Sequence, residues 1–132
     1  SIASPAGYEL DSSTLEQVSA LARQSGAQFR SGVDPVAAVR GAEIVYTDTW
    51  TCMGQEMEAP ERRSRFTSFQ VNASLLSHAD SDVKFMHCLP AHHGEEVTSE
   101  VLNGPSSIVF EQAENRLHVQ KALLAQILIP AD

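Results

Sequence analysis

Apolar positions along this chain switch between a strand-like period of two and a helix-like period near 3.6, and the switches divide it into short elements. Residues 2–4 read as a short strand, ended by Pro5 and Gly7. Ser13-Thr14-Leu15-Glu16 has the form of a capping box; Leu15, Val18, Leu21 and Ala22 share one helical face, and Gly26 is placed to end the helix. Residues 28–30 form a weaker strand candidate. At Asp34-Pro35 a second helix begins, the carboxylate capping it and the proline taking its first position, and Gly41 closes it. Ile44, Val45 and Tyr46 make a β-rich run that delivers Asp48 to its carboxyl end. Residues 49–56 show no apolar period and hold Trp50, Cys52, Met53 and Gly54, so a loop is expected there.

Residues 59–69 and 71–79 are rich in helix formers and poor in breakers. Val83, Phe85 and Met86 read as a buried strand stopped by Pro90, which has no N–H to give to a ladder, so His87 and Cys88 fall at a strand's carboxyl end. About one turn of helix over residues 98–102 is stopped by Asn103-Gly104-Pro105, and residues 107–110 suggest another strand. Residues 111–129 are the longest helical stretch, with Ala113, Leu117, Leu124 and Leu128 on an apolar face and Pro130 beyond its end. Strands separated by helices imply crossover connections and a parallel sheet covered on both faces. The expected fold is α/β, Rossmann-like and three-layered. If the strands are parallel, Asp48 and Cys88 share the sheet edge at which such folds bind ligands.

Composition narrows the function. With 132 residues the chain suits one domain, and its 42% hydrophobic and 20% charged content fit a soluble globular protein. A net charge of −8 opposes binding to a nucleic-acid backbone or an anionic membrane. The basic run Arg62-Arg63-Ser64-Arg65, flanked by Glu58 and Glu61, reads as a solvated helix face. Cys52 and Cys88 form no disulfide-dense pattern, which suits a reducing setting such as the cytoplasm. No stretch of about 18 apolar residues appears, and no leader-like segment opens the chain.

Three clusters could carry chemistry: Asp48 with residues 50–55, His87 to Pro90 with His92 and His93, and Glu114-Asn115-Arg116. Singly, each has an ordinary explanation. An Asp after a strand is commonly a turn residue, a lone Cys a small buried apolar one, and an Arg early in a helix a surface ion-pair residue. A zinc site is disfavoured, because adjacent strand residues His87 and Cys88 point to opposite faces and no CxxC or HExxH supports them. A serine hydrolase lacks its G-x-S-x-G elbow.

Together, Asp48-Thr-Trp-Thr-Cys-Met-Gly-Gln-Glu56, Phe85-Met-His-Cys-Leu-Pro-Ala-His-His-Gly-Glu-Glu-Val97 and Ala113-Glu-Asn-Arg-Leu-His118 closely resemble the carboxyl-terminal half of ornithine carbamoyltransferases. The likeness starts at Ala3-Ser-Pro-Ala-Gly-Tyr8 and covers essentially the whole chain. It implies a partial L-ornithine-binding domain over residues 1–132, and transfer of the carbamoyl group of carbamoyl phosphate to the δ-amine of L-ornithine, giving citrulline and phosphate in arginine biosynthesis. No cofactor or metal is implied. The full-length family forms trimers.

By the same resemblance, Asp48 binds the ornithine amino group and Cys52-Met53 the amino-acid end. Cys88 lies beside the reacting amine, orienting or deprotonating it. Leu89 offers its backbone carbonyl to the carbamoyl NH2, and His87 and Arg116 face the carbamoyl oxygen. The chemistry is consistent with this set. An alkylamine with a pKa near about 10 must lose a proton before it attacks, and a permanent guanidinium suits the developing oxyanion.

Two residues depart from the family pattern: Cys52 replaces a usual Ser, exchanging a strong hydroxyl hydrogen bond for a weak thiol one worth about 1 kcal/mol less, and His93 replaces a frequent Arg. The family's Ser-x-Arg-Thr-Arg phosphate-binding motif does not occur here, nor do the first strand and helix of its ornithine domain. With strand order 3-2-1-4-5 the missing strand is central, so an open seam is expected, and the chain alone is expected to be inactive. Two other functions remain open at this level. One is a noncatalytic ornithine-binding or interaction module, and the other a relative acting on another amine, which the Met53-Gly54 loop disfavours.

Overall fold

The computed structural model describes residues 1–129. Its elements in order are β1 (Ile2–Ala3), α1 (Ser12–Ser25), β2 (Ser31–Gly32), α2 (Pro35–Val39) and β3 (Ile44–Thr47), then α3 (Ala59–Phe66), α4 (Ala73–Leu76), β4 (Lys84–His87), α5 (Ser99–Leu102) and α6 (Val109–Leu128). Single 3₁₀ turns at Glu56–Glu58 and Thr67–Phe69 flank α3. Both strand pairs, β1 with β2 and β3 with β4, are parallel. The α/β, Rossmann-like expectation is met, in partial form.

Local chemistry explains the helix ends. Asp34 Oδ1 accepts from the Val36 and Ala37 amides at 2.9 and 3.2 Å, and Pro35 opens α2 as anticipated. Gly26 ends α1 at φ 77°, the left-handed conformation that glycine adopts without a Cβ clash. The cap of α1, however, is Asp11 and not Ser13. Its Oδ1 accepts from the Thr14 amide at 2.9 Å, and both hydroxyls nearby donate to it, which holds its pKa well below the usual carboxylate range. A carboxylate two residues upstream outcompeted the hydroxyl.

Other boundaries moved because tertiary pairing overrode local preference. The strand placed at residues 28–30 lies at Ser31–Gly32, although the Arg30 carbonyl still accepts from Ile2. Of residues 71–79, only Ala73–Leu76 are α-helical. Val71 instead bridges Val97, exchanging backbone bonds with Glu96 and Thr98. Residues 107–110 contain a single bridge, Ser107 to Phe85, after which α6 begins at Val109. Pro130 lies outside the described residues.

The core is Val39, Val45, Val71, Leu75, Val83, Phe85, Val97, Val101, Leu102 and Val109. Phe85 and His87 are fully enclosed, so β4 is the best-buried strand, and Val97 is enclosed beside it. In contrast, α1 buries no residue and α6 buries only Val109. Leu21, Leu117, Leu124 and Leu128, expected on packed faces, are exposed. Neither helix has the opposing surface that its apolar stripe calls for.

The seam is present. In β3 the Glu43 carbonyl accepts from Lys84, so by the alternation of a parallel ladder Val45 and Thr47 turn their backbone groups toward β4, and Ile44 and Tyr46 turn theirs away. Ile2 and Ser4 donate to the β2 side, leaving Ser1 and Ala3 directed the other way. A groove of about 410 Å³ lies between these edges, lined by Ile2, Ala3, Ile44, Tyr46 and Val39, and running to Asp48.

Candidate active site

Register puts the reactive groups together. Thr47 and His87 are Cα partners at the ends of β3 and β4, so Asp48 and Cys88 follow side by side. The Cys88 thiol donates to Asp48 Oδ1 at 2.9 Å, and Asp48 also accepts from the Thr49 amide at 2.7 Å. Burial, then the bond to the neighbouring Asp48 carboxylate, raises the Cys88 pKa, so the sulfur is a thiol near neutral pH. Tyr46 lies beside it, its phenol also raised, first by burial and then by Cys88. Both cysteines are free.

His87 points to the opposite face, as strand alternation requires. Its side chain is 0% exposed, turned inward from the rim that carries Asp48 and Cys88. Nδ1 accepts from the Leu89 amide at 2.8 Å, so Nε2 holds the proton and donates to Glu96 Oε1 at 3.2 Å. Glu96, also fully buried, accepts from the His92 amide at 2.6 Å. The pair therefore ties down the loop 88–96. Within it Leu89 has φ 53° and precedes a cis Pro90. Among the described residues no donor reaches the Leu89 carbonyl.

On the β3 side, the loop 49–56 is folded by its own side chains. Gln55 Oε1 accepts from the Cys52 amide at 3.1 Å, and Glu56 Oε1 accepts from Gly54 at 2.9 Å. Those bonds leave Met53 99% exposed and Cys52 exposed. The loop is anchored at Trp50, which is buried beside Phe66. Arg62 donates to the Trp50 carbonyl at 3.2 Å, pairs with Glu58 at 2.9 Å and lies over the Tyr8 ring at 5.1 Å. Its side chain is 16% exposed, so this residue is a bolt beneath the loop and not part of a solvated face. Arg63 and Arg65 do face outward, toward Glu95 and Glu61.

Arg116 is exposed in α6, the helix that follows the Ser107 bridge to β4, and among the described residues it forms no ion pair. His93 Nδ1 lies 2.8 Å from Ser99 Oγ, and no carboxylate pairs with it among the described residues. Two structural groups escaped the sequence reading, Glu96 and Gln112. The signal for the first is a carboxylate that returns after the Pro90–Gly94 turn to the strand end carrying His87. For the second it is a polar residue one helical turn before Arg116.

A parallel strand pair that ends in a thiol–carboxylate couple, followed by a helix that carries Arg116, defines an α/β domain whose reactive groups stand at the strand rim where such folds bind ligands. Residues 1–127 match the family model described as aspartate/ornithine carbamoyltransferase, Asp/Orn binding domain, and the chain belongs to that family. It is 54% identical over 127 residues to the ornithine carbamoyltransferase of Pyrococcus horikoshii, covering 96% of this chain and 40% of that protein. The Bacillus subtilis ornithine carbamoyltransferase is 55% identical over 128 residues, covering 97% and 40%. The solved ornithine carbamoyltransferase of Pyrococcus furiosus superposes with a TM-score of 0.87 at 54% identity, over 94% of this chain and 40% of that one. The chain thus spans about two fifths of the length of these relatives.

Proposed function

We propose that this chain is the ornithine-binding half of an ornithine carbamoyltransferase, acting with a carbamoyl phosphate-binding polypeptide to convert L-ornithine and carbamoyl phosphate into citrulline and phosphate. The observation that supports it most directly is the 2.9 Å thiol–carboxylate contact at the strand rim, made by residues 40 positions apart. The names of the relatives support the same chemistry.

In this reading Asp48 anchors an ammonium of ornithine, and the exposed Cys52-Met53 loop closes over the amino-acid end. Cys88, with its raised pKa, is a poor base at neutral pH, so it orients the δ-amine and does not deprotonate it. The unpaired Leu89 carbonyl is available to the carbamoyl NH2, and Arg116 offers its charge to the developing oxyanion. His87 contributes by holding Leu89 in place. The groove between β1 and β3 takes a further parallel strand, which pairs both open edges and supplies a surface for α1. The work is biosynthetic and cytoplasmic, in a trimer like that of the full-length family.

The test is citrulline formation. The chain alone should form none, and the chain assembled with a carbamoyl phosphate-binding polypeptide should turn over. In that assembly Arg116→Lys should lower kcat by about 10²-fold, the scale of one oxyanion contact. Calorimetry separates the noncatalytic reading, which the open groove favours: ornithine binding indifferent to carbamoyl phosphate, with no turnover by the assembly, would establish a binding module instead.

A further inference from the structure

The outer edge of β4 is finished by a side chain. Phe85 donates to the Ser106 carbonyl at 2.8 Å, and Ile108 donates back to Phe85 at 3.0 Å. There the backbone pairing stops, because α6 starts at Val109. His87, the next residue of β4 with the same outward direction, has no backbone partner on that side among the described residues. Its amide donates to Gln112 Oε1 at 3.0 Å instead. A half-buried amide needs such an acceptor. Gln112 is itself half-buried, and its amide end lies beside the Tyr46 phenol, next to the Cys88 thiol.

Arg116 is four residues further along α6, hence on the same helix face as Gln112. The hydrogen bond thus joins the strand end that bears Cys88 to the helix face that bears Arg116. We infer that Gln112 is a positioning residue for carbamoyl transfer: by binding the last amide of β4, it sets the distance between the Arg116 guanidinium and the Cys88 thiol. The inference rests on the proposed function.

Its effect is confined to one part of the reaction. Ornithine is held from the β3 side, by Asp48 and the loop after it, whose own hydrogen bonds, from Thr49 to Asp48, Cys52 to Gln55 and Gly54 to Glu56, do not involve Gln112. The contact of Gln112 on that side is with Tyr46, before the strand's end. The guanidinium and the oriented amine must be in register only when the carbonyl is attacked. A misplacement of about 1 Å there can cost about 10²-fold in rate. An interaction realised only in the transition state lowers kcat and leaves ground-state binding alone.

The experiment uses the assembly of this chain with the carbamoyl phosphate-binding polypeptide, at saturating carbamoyl phosphate. Gln112→Leu, which leaves the His87 amide unpaired, should lower kcat at least about tenfold with the ornithine KM unchanged within about twofold. Gln112→Glu keeps an oxygen for that amide and should stay within about threefold of the parent. Equal losses in both variants, or a raised KM at constant kcat, would overturn the inference. A parent assembly that makes no citrulline would instead overturn the carbamoyltransferase reading, and this inference with it. Should Gln112→Leu fail to fold by far-UV circular dichroism, Gln112→Met, similar in length and lacking the oxygen, takes the same expectations.

Discussion

Cys88 Sγ and Asp48 Oδ1 meet at 2.9 Å, although one follows β4 and the other β3. Burial and the carboxylate together keep the proton on sulfur, so Cys88 should react with iodoacetamide more slowly than the exposed Cys52. Asp48→Asn removes the charge that opposes the thiolate and should speed Cys88 alkylation roughly 3- to 10-fold at pH 8. Peptide mass spectrometry reads the two sites separately. An unchanged rate at Cys88 would mean that the carboxylate does not govern the thiol.

The same shift has a sign in stability. The folded chain binds the Cys88 proton more tightly than the unfolded chain does, so this contribution is complete below the unfolded thiol pKa. It declines as pH rises past that value and is gone above the folded pKa. The urea midpoint of Cys88→Ser should therefore fall less between pH 7 and pH 10 than that of the parent. Parallel declines would remove Cys88 from the account.

Glu96 is fully enclosed and accepts from both the His87 ring and the His92 amide. Replacing it with Ala strands one buried donor, the His87 ring, and one half-buried donor, the His92 amide, at a cost of about 2–4 kcal/mol in urea unfolding. Glu96→Gln, which retains one acceptor oxygen, should cost about half as much. A loss below about 1 kcal/mol for Glu96→Ala would show that water replaces the carboxylate.

At Gly104 a Cβ would sit 2.6 Å from the Glu100 carbonyl oxygen, a backbone atom that can move only with α5. Gly104→Ala should therefore destabilise by about 1–3 kcal/mol, the range for overpacking a tight site. Thermal melting checks this, and an unchanged melting temperature would mean that the α5 turn yields freely.

Hydrogen exchange tests the groove. The Ile44 and Tyr46 amides face it, whereas Val45 and Thr47 face β4. In the chain alone, the first pair should exchange at least about 10²-fold faster than the second, since only the second is paired. Assembly with a polypeptide that fills the groove should slow the first pair selectively. Uniform protection in the lone chain would show that the edges are already covered.

The sequence by itself determined whatever depends on near neighbours. Asp34-Pro35 starts a helix because capping carboxylate and fixed φ are adjacent, and Gly26 ends one because only glycine takes φ 77° without a clash. The parallel α/β layout, and with it the meeting of Asp48 and Cys88, followed from two apolar runs of similar length ending in reactive residues. Tertiary structure decided where distant groups competed for the same atoms. Val71 left its helical pattern for pairing with Val97, and His87 turned inward to Glu96 and Leu89. Arg62 left solvent for Trp50 and Tyr8. Each of these outcomes turns on at least one partner nine or more residues away, which no local period encodes. The open stripes of α1 and α6 have the same physical origin: an amphipathic pattern specifies that a face is to be covered, and only the assembled fold specifies by what.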